Sequence, residues 1–233
     1  MRFTCLPCPR ALLGATALLS ITPIAASAPP TLLLQATTSL QHRGLSRSAG
    51  HPAAAISIDQ PLGDAAYLGV TFATIDLPGR PDEIRRTLVE SYLGRSVSVG
   101  DNWRLRGDLV RYDFPNALEF SYTEIALGWS FRQAISGRLT YTRDALGENE
   151  PGGAVELSGH YPLADRWRLT ATGGAQFFDR DTWNNHGFWR LGVQWLHQRV
   201  AVQLAGEGTL GDVNGIQGDR GDARLVLSIS YAR

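Results

Sequence analysis

From residue 32 onward, apolar side chains recur at every second position and almost nowhere at the three- and four-residue spacing of a helix. Ile125, Leu127, Trp129 and Phe131 alternate with Glu124, Ala126, Gly128 and Ser130. Leu225, Leu227, Ile229 and Tyr231 alternate in the same way with Arg224, Val226, Ser228 and Ser230. A period of two belongs to a strand with one apolar face. It predicts about twelve strands, over 32–43, 53–61, 66–76, 87–97, 103–112, 121–131, 135–143, 153–162, 167–177, 187–196, 200–208 and 223–232. Segments of this length cross a bilayer when tilted.

The connections alternate strictly between two lengths. Short ones lie at Gly63-Asp64, Gly100-Asp101-Asn102, Arg132-Gln133-Ala134, Ala164-Asp165-Arg166 and His197-Gln198-Arg199. Long polar ones span 44–52, 77–86, 113–120, 144–152, 178–186 and 209–222. Short turns at one end and long loops at the other are the pattern of an outer-membrane barrel, with turns in the periplasm and loops outside. The expected fold is therefore all-β: a transmembrane antiparallel up-and-down β-barrel with an even strand number and both termini periplasmic. A soluble sandwich has no reason to keep this alternation.

Aromatic positions carry an orientation signal, because Trp and Tyr favour the membrane interface. Tyr67, Trp103, Trp129, Phe131, Tyr161, Trp167, Trp195 and Tyr231 lie near a short turn or the C-terminus and are expected to form a periplasmic girdle. A looser set beside the long loops, Tyr112, Phe120, Tyr122, Tyr141, Phe177, Phe188 and Trp189, would form the outer one. Against this stands the reading of aromatics in a sandwich core, which would put them at mid-strand.

The first residues read differently. Arg2 and Arg10 give a basic start, Ala11 to Ile24 is mostly small and apolar, and Ala25-Ala26-Ser27-Ala28 offers a cleavage site, so residues 1–28 read as a secretory signal and 29–233 as the barrel. Pro29 would follow the favoured cut, so cleavage a residue or two earlier is an alternative. Cys5 and Cys8 precede the apolar stretch, which argues against a redox, zinc or lipid-attachment role. Past the signal there is no apolar run of membrane-helix length.

Composition excludes more than it identifies. The 233 residues carry 22 Lys+Arg, every one an Arg, against 22 Asp+Glu, which offers nothing to a nucleic acid. Without residues 1–28 the balance is 20 cations against 22 anions. If the apolar set faces lipid, parity turns inward Asp59, Glu90, Arg104, Arg106, Asp108, Glu124, Arg138, Glu156, His160, Arg168, Arg190, Glu207 and Arg224. Mid-depth charges on the lipid side would cost roughly 2–4 kcal/mol each for Arg, so the shared parity is itself informative. Arg95 breaks it, near a periplasmic end where its stem can snorkel. Charges of both signs across a hydrated lumen make a small-solute channel. The same charges paired into Arg–carboxylate ladders close the lumen instead. Both outcomes remain open at this point.

The run Thr38-Ser39-Leu40-Gln41-His42-Arg43-Gly44-Leu45-Ser46, with Pro52-Ala53 and Ala66-Tyr67-Leu68-Gly69-Val70 after it, resembles the opening of the TorF-type porin family. Glu90, Tyr92 and Gly94, Tyr122-Thr123-Glu124, Tyr161-Pro162-Leu163 and the closing Asp222 to Ser230 extend the likeness over 32–232. The resemblance implies an outer-membrane barrel of porin type with no catalytic residues. Barrels of this kind usually end in an aromatic that the assembly machinery reads. This chain ends Tyr231-Ala232-Arg233, which puts that recognition on Tyr231 and the alternating strand.

Single residues give no competing chemistry. His160 and Ser158 share a strand face without a triad's acid, so no enzyme is expected. The loop Gly211-Asp212-Val213-Asn214 to Gly218-Asp219 and Asp222 has a calcium-loop composition without the closing Glu, so no metal or other cofactor is expected. The Gly-x-Gly patterns sit in strands and turns, which does not support nucleotide binding. The functional expectation is a porin-like channel for passive diffusion of small polar or charged solutes. The alternative is a non-conducting barrel with a charge-paired lumen, serving envelope structure or surface interaction through its loops. Outer-membrane lipid, the barrel-assembly machinery and small solutes are the expected partners, in the outer membrane of a Gram-negative cell.

Overall fold

The computed structural model describes residues 28–76, 86–115, 117–179, 184–211, 213 and 218–233. Residues 1–27, with Cys5 and Cys8 in the segment expected to be a signal, most of the 77–86 loop, and Asp212 and Asn214 lie outside the described residues. So do the side chains of Gly218 and Asp219.

Alternation builds the wall. Its strands are β1 (Thr31–Thr37), β4 (Ala53–Leu62), β5 (Ala66–Ile75), β6 (Arg86–Val99), β7 (Trp103–Asp113), β8 (Tyr122–Phe131), β9 (Ile135–Thr142), β10 (Gly152–Ala164), β11 (Trp167–Phe178), β12 (His186–His197), β13 (Val200–Leu210) and β14 (Arg224–Ala232). Each pairs antiparallel with its sequence neighbour, and β1 pairs with β14 to close the barrel. Leu32 and Arg233 exchange backbone hydrogen bonds of 2.9 Å at that seam. Closure leaves no sheet edge. β2 (Gln41–His42) and β3 (Leu45–Ser46) form a separate small hairpin.

The five short connections fall where the sequence placed them, and so do the long ones after β7, β9, β11 and β13. At the three-residue β8–β9 turn, Arg132 and Gln133 have φ of 49° and 57°, and Ala134 N donates to Phe131 O at 3.0 Å to close it. Leu93, Leu127, Leu139, Leu157 and Leu191 stand on the outer face, each more than half exposed. Arg95 also lies outward, opposite Ala66 near a short turn.

Two expectations require correction. The first strand ends at Thr37, not at residue 43, because Thr38 to Pro52 leaves the wall. The interior is also not uniformly polar. At the long-loop end, Ala73, Ile75, Leu88, Val110, Tyr112, Phe114, Ala117 and Tyr122 make a buried cluster, with Leu40, Phe120 and Leu146 packed on it. Tyr112 and Tyr122 therefore do not join an outer girdle. Their parity points them inward, where their rings stack at 4.7 Å. Phe188 is likewise buried inside. Parity, fixed by register, overrides the interface preference of an aromatic ring.

Candidate functional site: the barrel interior

The loop from Thr38 to Pro52 folds into the barrel mouth, with Arg43 and Gly44 at the tip of the β2–β3 hairpin. Their φ values are 52° and 80°, a two-residue turn with both residues left-handed. A Cβ on Gly44 would stand 2.7 Å from Phe188 Cβ and 2.9 Å from Gly208 O, so the tip is seated on β12 and β13. Arg43 reaches other walls. Its Nη1 and Nη2 donate to Glu124 Oε1 and Oε2, both at 2.8 Å, and also to Gln176 Oε1 at 3.3 Å and Thr140 Oγ1 at 2.9 Å. Rooted on β1 and β4, the hairpin thus touches β8, β9, β11, β12 and β13 and spans the bore.

The rest of the loop is braced by short polar side chains. Ser39 and Ser46 hydroxyls meet at 2.8 Å, and Ser48 Oγ accepts from Leu40 N at 2.9 Å. Arg47 lies 5.1 Å from the Tyr112 ring centre. Arg220, in the 3-10 turn Gly218–Gly221, donates from Nη1 to Ser46 O at 2.9 Å and Asp76 O at 2.7 Å. Burial would lower the pKa of Arg43, but hydrogen bonding and charge from Glu124 outweigh it and hold the guanidinium more firmly protonated. Burial first, then Arg47 and Arg43, hold His42 well below the usual imidazole range and therefore neutral.

Inside the barrel a series of cavities adjoin through shared lining residues. The outermost, about 100 Å³, lies above Arg43 and Glu124 against Ile75, Phe114 and Tyr122. Beyond the hairpin tip is one of about 280 Å³, lined by Glu90, Arg138, Glu156, Arg190 and Glu207 with His42 and Tyr112. It shares Arg138 and Glu156 with a third of about 410 Å³, which Arg104, Arg106 and Asp108 also line. A fourth, about 260 Å³, is lined by Arg168, His160, Ser158, Gln194 and Gln203. The smallest of these four lies at the long-loop end.

Several interior charges are neutralised where they stand. Arg106 Nε lies 2.8 Å from Asp108 Oδ2, and Asp108 also accepts from the Tyr67 hydroxyl. Arg190 Nε stands 3.3 Å from Glu207 Oε2 without pointing its N–H at it, while Nη2 donates to Gln203 Oε1 at 3.0 Å. Asp59 accepts from the Tyr92 hydroxyl, and Arg168 Nε donates to Gln194 Oε1. Glu90, Arg104 and Arg138 have no ion-pair partner within 4 Å among the described residues. Ser158 donates to Glu156 at 3.3 Å. Arg224 sits opposite Glu207, outside the cavities and close to Gly50.

Of the eight aromatics assigned to the short-turn girdle, Tyr67 is the exception. Its ring points inward over Gly94, under the Arg106 guanidinium at 4.7 Å. Tyr92 lies reciprocally over Gly69. A glycine opposite each tyrosine gives the ring its room, and the inward carboxylates give the hydroxyls an acceptor. The other seven stand on the outer face near that end, with Trp103 packed on Phe131 and Trp129 at 4.8 and 5.6 Å.

Arg43, Gln41 and His42 were missed as interior residues because the apolar alternation runs into them without a break. The available signal was Arg-Gly flanked by two-residue segments, a hairpin tip too short to register as strands.

No protein-family model matches this chain, and no curated protein is similar to it. Solved structures share the fold. A KdgM porin superposes with a TM-score of 0.57 at 6% identity, over 86% of this chain and 98% of that one. A NanC porin gives 0.57 at 8% identity, over 86% and 98%. A KdgM porin in complex with disordered oligogalacturonate gives 0.53 at 5% identity, over 87% and 98%. At such identities the likeness is one of fold: a closed antiparallel barrel of porin type.

Proposed function

We propose that this chain is a porin-like channel of a Gram-negative outer membrane, passing small polar or charged solutes by passive diffusion. The observation that carries the reading is the inversion of the barrel: apolar residues and aromatics outside, adjoining cavities lined by charged and amide side chains inside. An outer face of Leu, Ile, Val and Trp is stable only against lipid, and a charged interior only against water or a polar solute. Residues 1–28 act as the export signal, and 29–233 form the mature barrel that the assembly machinery inserts. The likeness at 38–46 and along 52–232 supports a place in the TorF-type porin family. No catalytic role is assigned to any residue.

The short-turn half of the bore holds Arg104, Arg106, Arg138 and Arg168 against Asp59, Asp108 and Glu156. This surplus of cations supports a preference for small anionic solutes, and oligogalacturonate on a KdgM porin gives acidic saccharides a place among them. The rival reading, a closed non-conducting barrel, draws on the paired charges Arg43–Glu124, Arg106–Asp108 and Arg190–Glu207. Osmotic swelling of liposomes containing the refolded protein separates the two. The channel predicts swelling rates that fall with solute size and exceed those of empty liposomes. Rates equal to empty liposomes for every solute would establish the closed barrel.

A further inference from the structure

We infer that the β2–β3 hairpin is a releasable gate, latched across the bore by Arg43 on Glu124; this rests on the channel reading above. The seated hairpin has strong and weak points in the same few residues. Holding it are the bidentate Arg43–Glu124 contact at 2.8 Å and the Gly44 seat on β12 and β13, with Arg220 Nη1 donating to Ser46 O, Asp76 N to Arg47 O and Arg47 Nη2 to the Tyr122 hydroxyl around them. Both partners of the contact are nearly fully buried, at 8% and 2% side-chain exposure, so the bond is made away from bulk water.

Beside these contacts are polar groups that no other protein group pairs with. Gln41 Oε1 and His42 Nε2, on the hairpin itself, are buried with no hydrogen-bond partner among the described residues. Arg190 Nε and Glu207 Oε1, on the wall below, are in the same state. Gln41 and His42 line the cavity below the hairpin, and Arg43–Glu124 is the one Arg–carboxylate pair, among the described residues, that ties the hairpin to the wall.

The hairpin is also separable from the wall. Its pairing is only Gln41 with Ser46 and His42 with Leu45, and Arg47 N donates to Leu40 O at 2.8 Å, closing the segment on itself. Once Arg47 O and Ser46 O part from Asp76 N and Arg220, it can move as a unit about Ala49 and Gly50, whose φ values are 50° and 80°, without breaking a strand of the barrel.

Single-channel recording in planar bilayers tests this with four refolded proteins: wild type, Arg43→Ala, Glu124→Ala, and a chain with 40–47 replaced by Gly-Ser-Gly. Folding of each is first checked by its faster gel migration before boiling. Wild type should switch between two conductance levels at constant voltage. Arg43→Ala and Glu124→Ala should keep both levels and raise the ratio of open to closed time by about 10- to 100-fold, the equivalent of a charge-assisted contact. The shortened chain should stay at the upper level. Should Glu124→Ala not fold, Arg43→Ala decides alone, since Arg43 belongs to the loop and not the wall. A single steady wild-type level that Arg43→Ala enlarges would mean a fixed constriction and overturn the gate. Silence of wild type and Arg43→Ala beside a conducting shortened chain would mean an immobile plug, overturning the gate but not the channel. Silence of the shortened chain as well would overturn both.

Discussion

Leu127→Arg probes the orientation of the whole wall. Leu127 is the sixth of the ten residues of β8, midway between the two rims, and 61% exposed on the outer face. Its cross-strand neighbours are Gly107 and Leu139, which offer a guanidinium no partner. With lipid outside, an arginine at that depth costs about 2–4 kcal/mol, and near a rim about 0–1 kcal/mol. Leu225→Arg supplies the rim control: Leu225 is 68% exposed and second in β14, beside the long loops. The expected difference of about 2–3 kcal/mol corresponds to roughly 30- to 140-fold in the folded-to-unfolded ratio. Urea titration of each variant in lipid vesicles, read by the heat-sensitive gel shift, measures it directly. Equal midpoints for the two variants, or no loss for Leu127→Arg, would refute the placement of this face in lipid.

Gly94→Val places a side chain where the Tyr67 hydroxyl and Asp108 already stand, so it should lower the urea midpoint by an amount worth about 1–3 kcal/mol. Gly107→Ala, whose nearest atom would be Leu127 Cδ2 at 3.8 Å, should cost far less by the same titration. Because burial, Arg47 and Arg43 depress the His42 pKa in the seated hairpin, seating is favoured above the free imidazole value of about 6.5 and weakens as pH falls through it. Channel open time should therefore rise on acidification. The rise should disappear in His42→Phe, which keeps a ring beside Tyr112 while Arg43, Arg47, Arg138 and Glu90 remain around it. Arg104→Glu with Arg168→Glu should move the reversal potential in a salt gradient toward cations, by roughly two- to threefold in permeability ratio. An unchanged potential would show that these residues do not set the field in the short-turn half of the bore.

The period of two was enough to place the twelve wall strands and the alternating turns, because in a barrel register ties every residue's face to its parity. For the same reason Glu124, Asp108, Glu156 and Arg138 could be assigned to one face from sequence alone. Parity says nothing of depth or of partners across the bore. Tyr67 and Tyr92 illustrate the difference: each lies between a carboxylate and a glycine from neighbouring strands, an environment that no local window contains.

What the sequence by itself determined is the wall, since alternation is a local property that hydrogen bonding between neighbouring strands converts directly into a closed sheet. Only the tertiary structure decided the state of the bore. Arg43 meets Glu124 across 81 residues of chain and Arg220 meets Ser46 across 174, so the folded loop and the closed barrel must both exist before either contact can form.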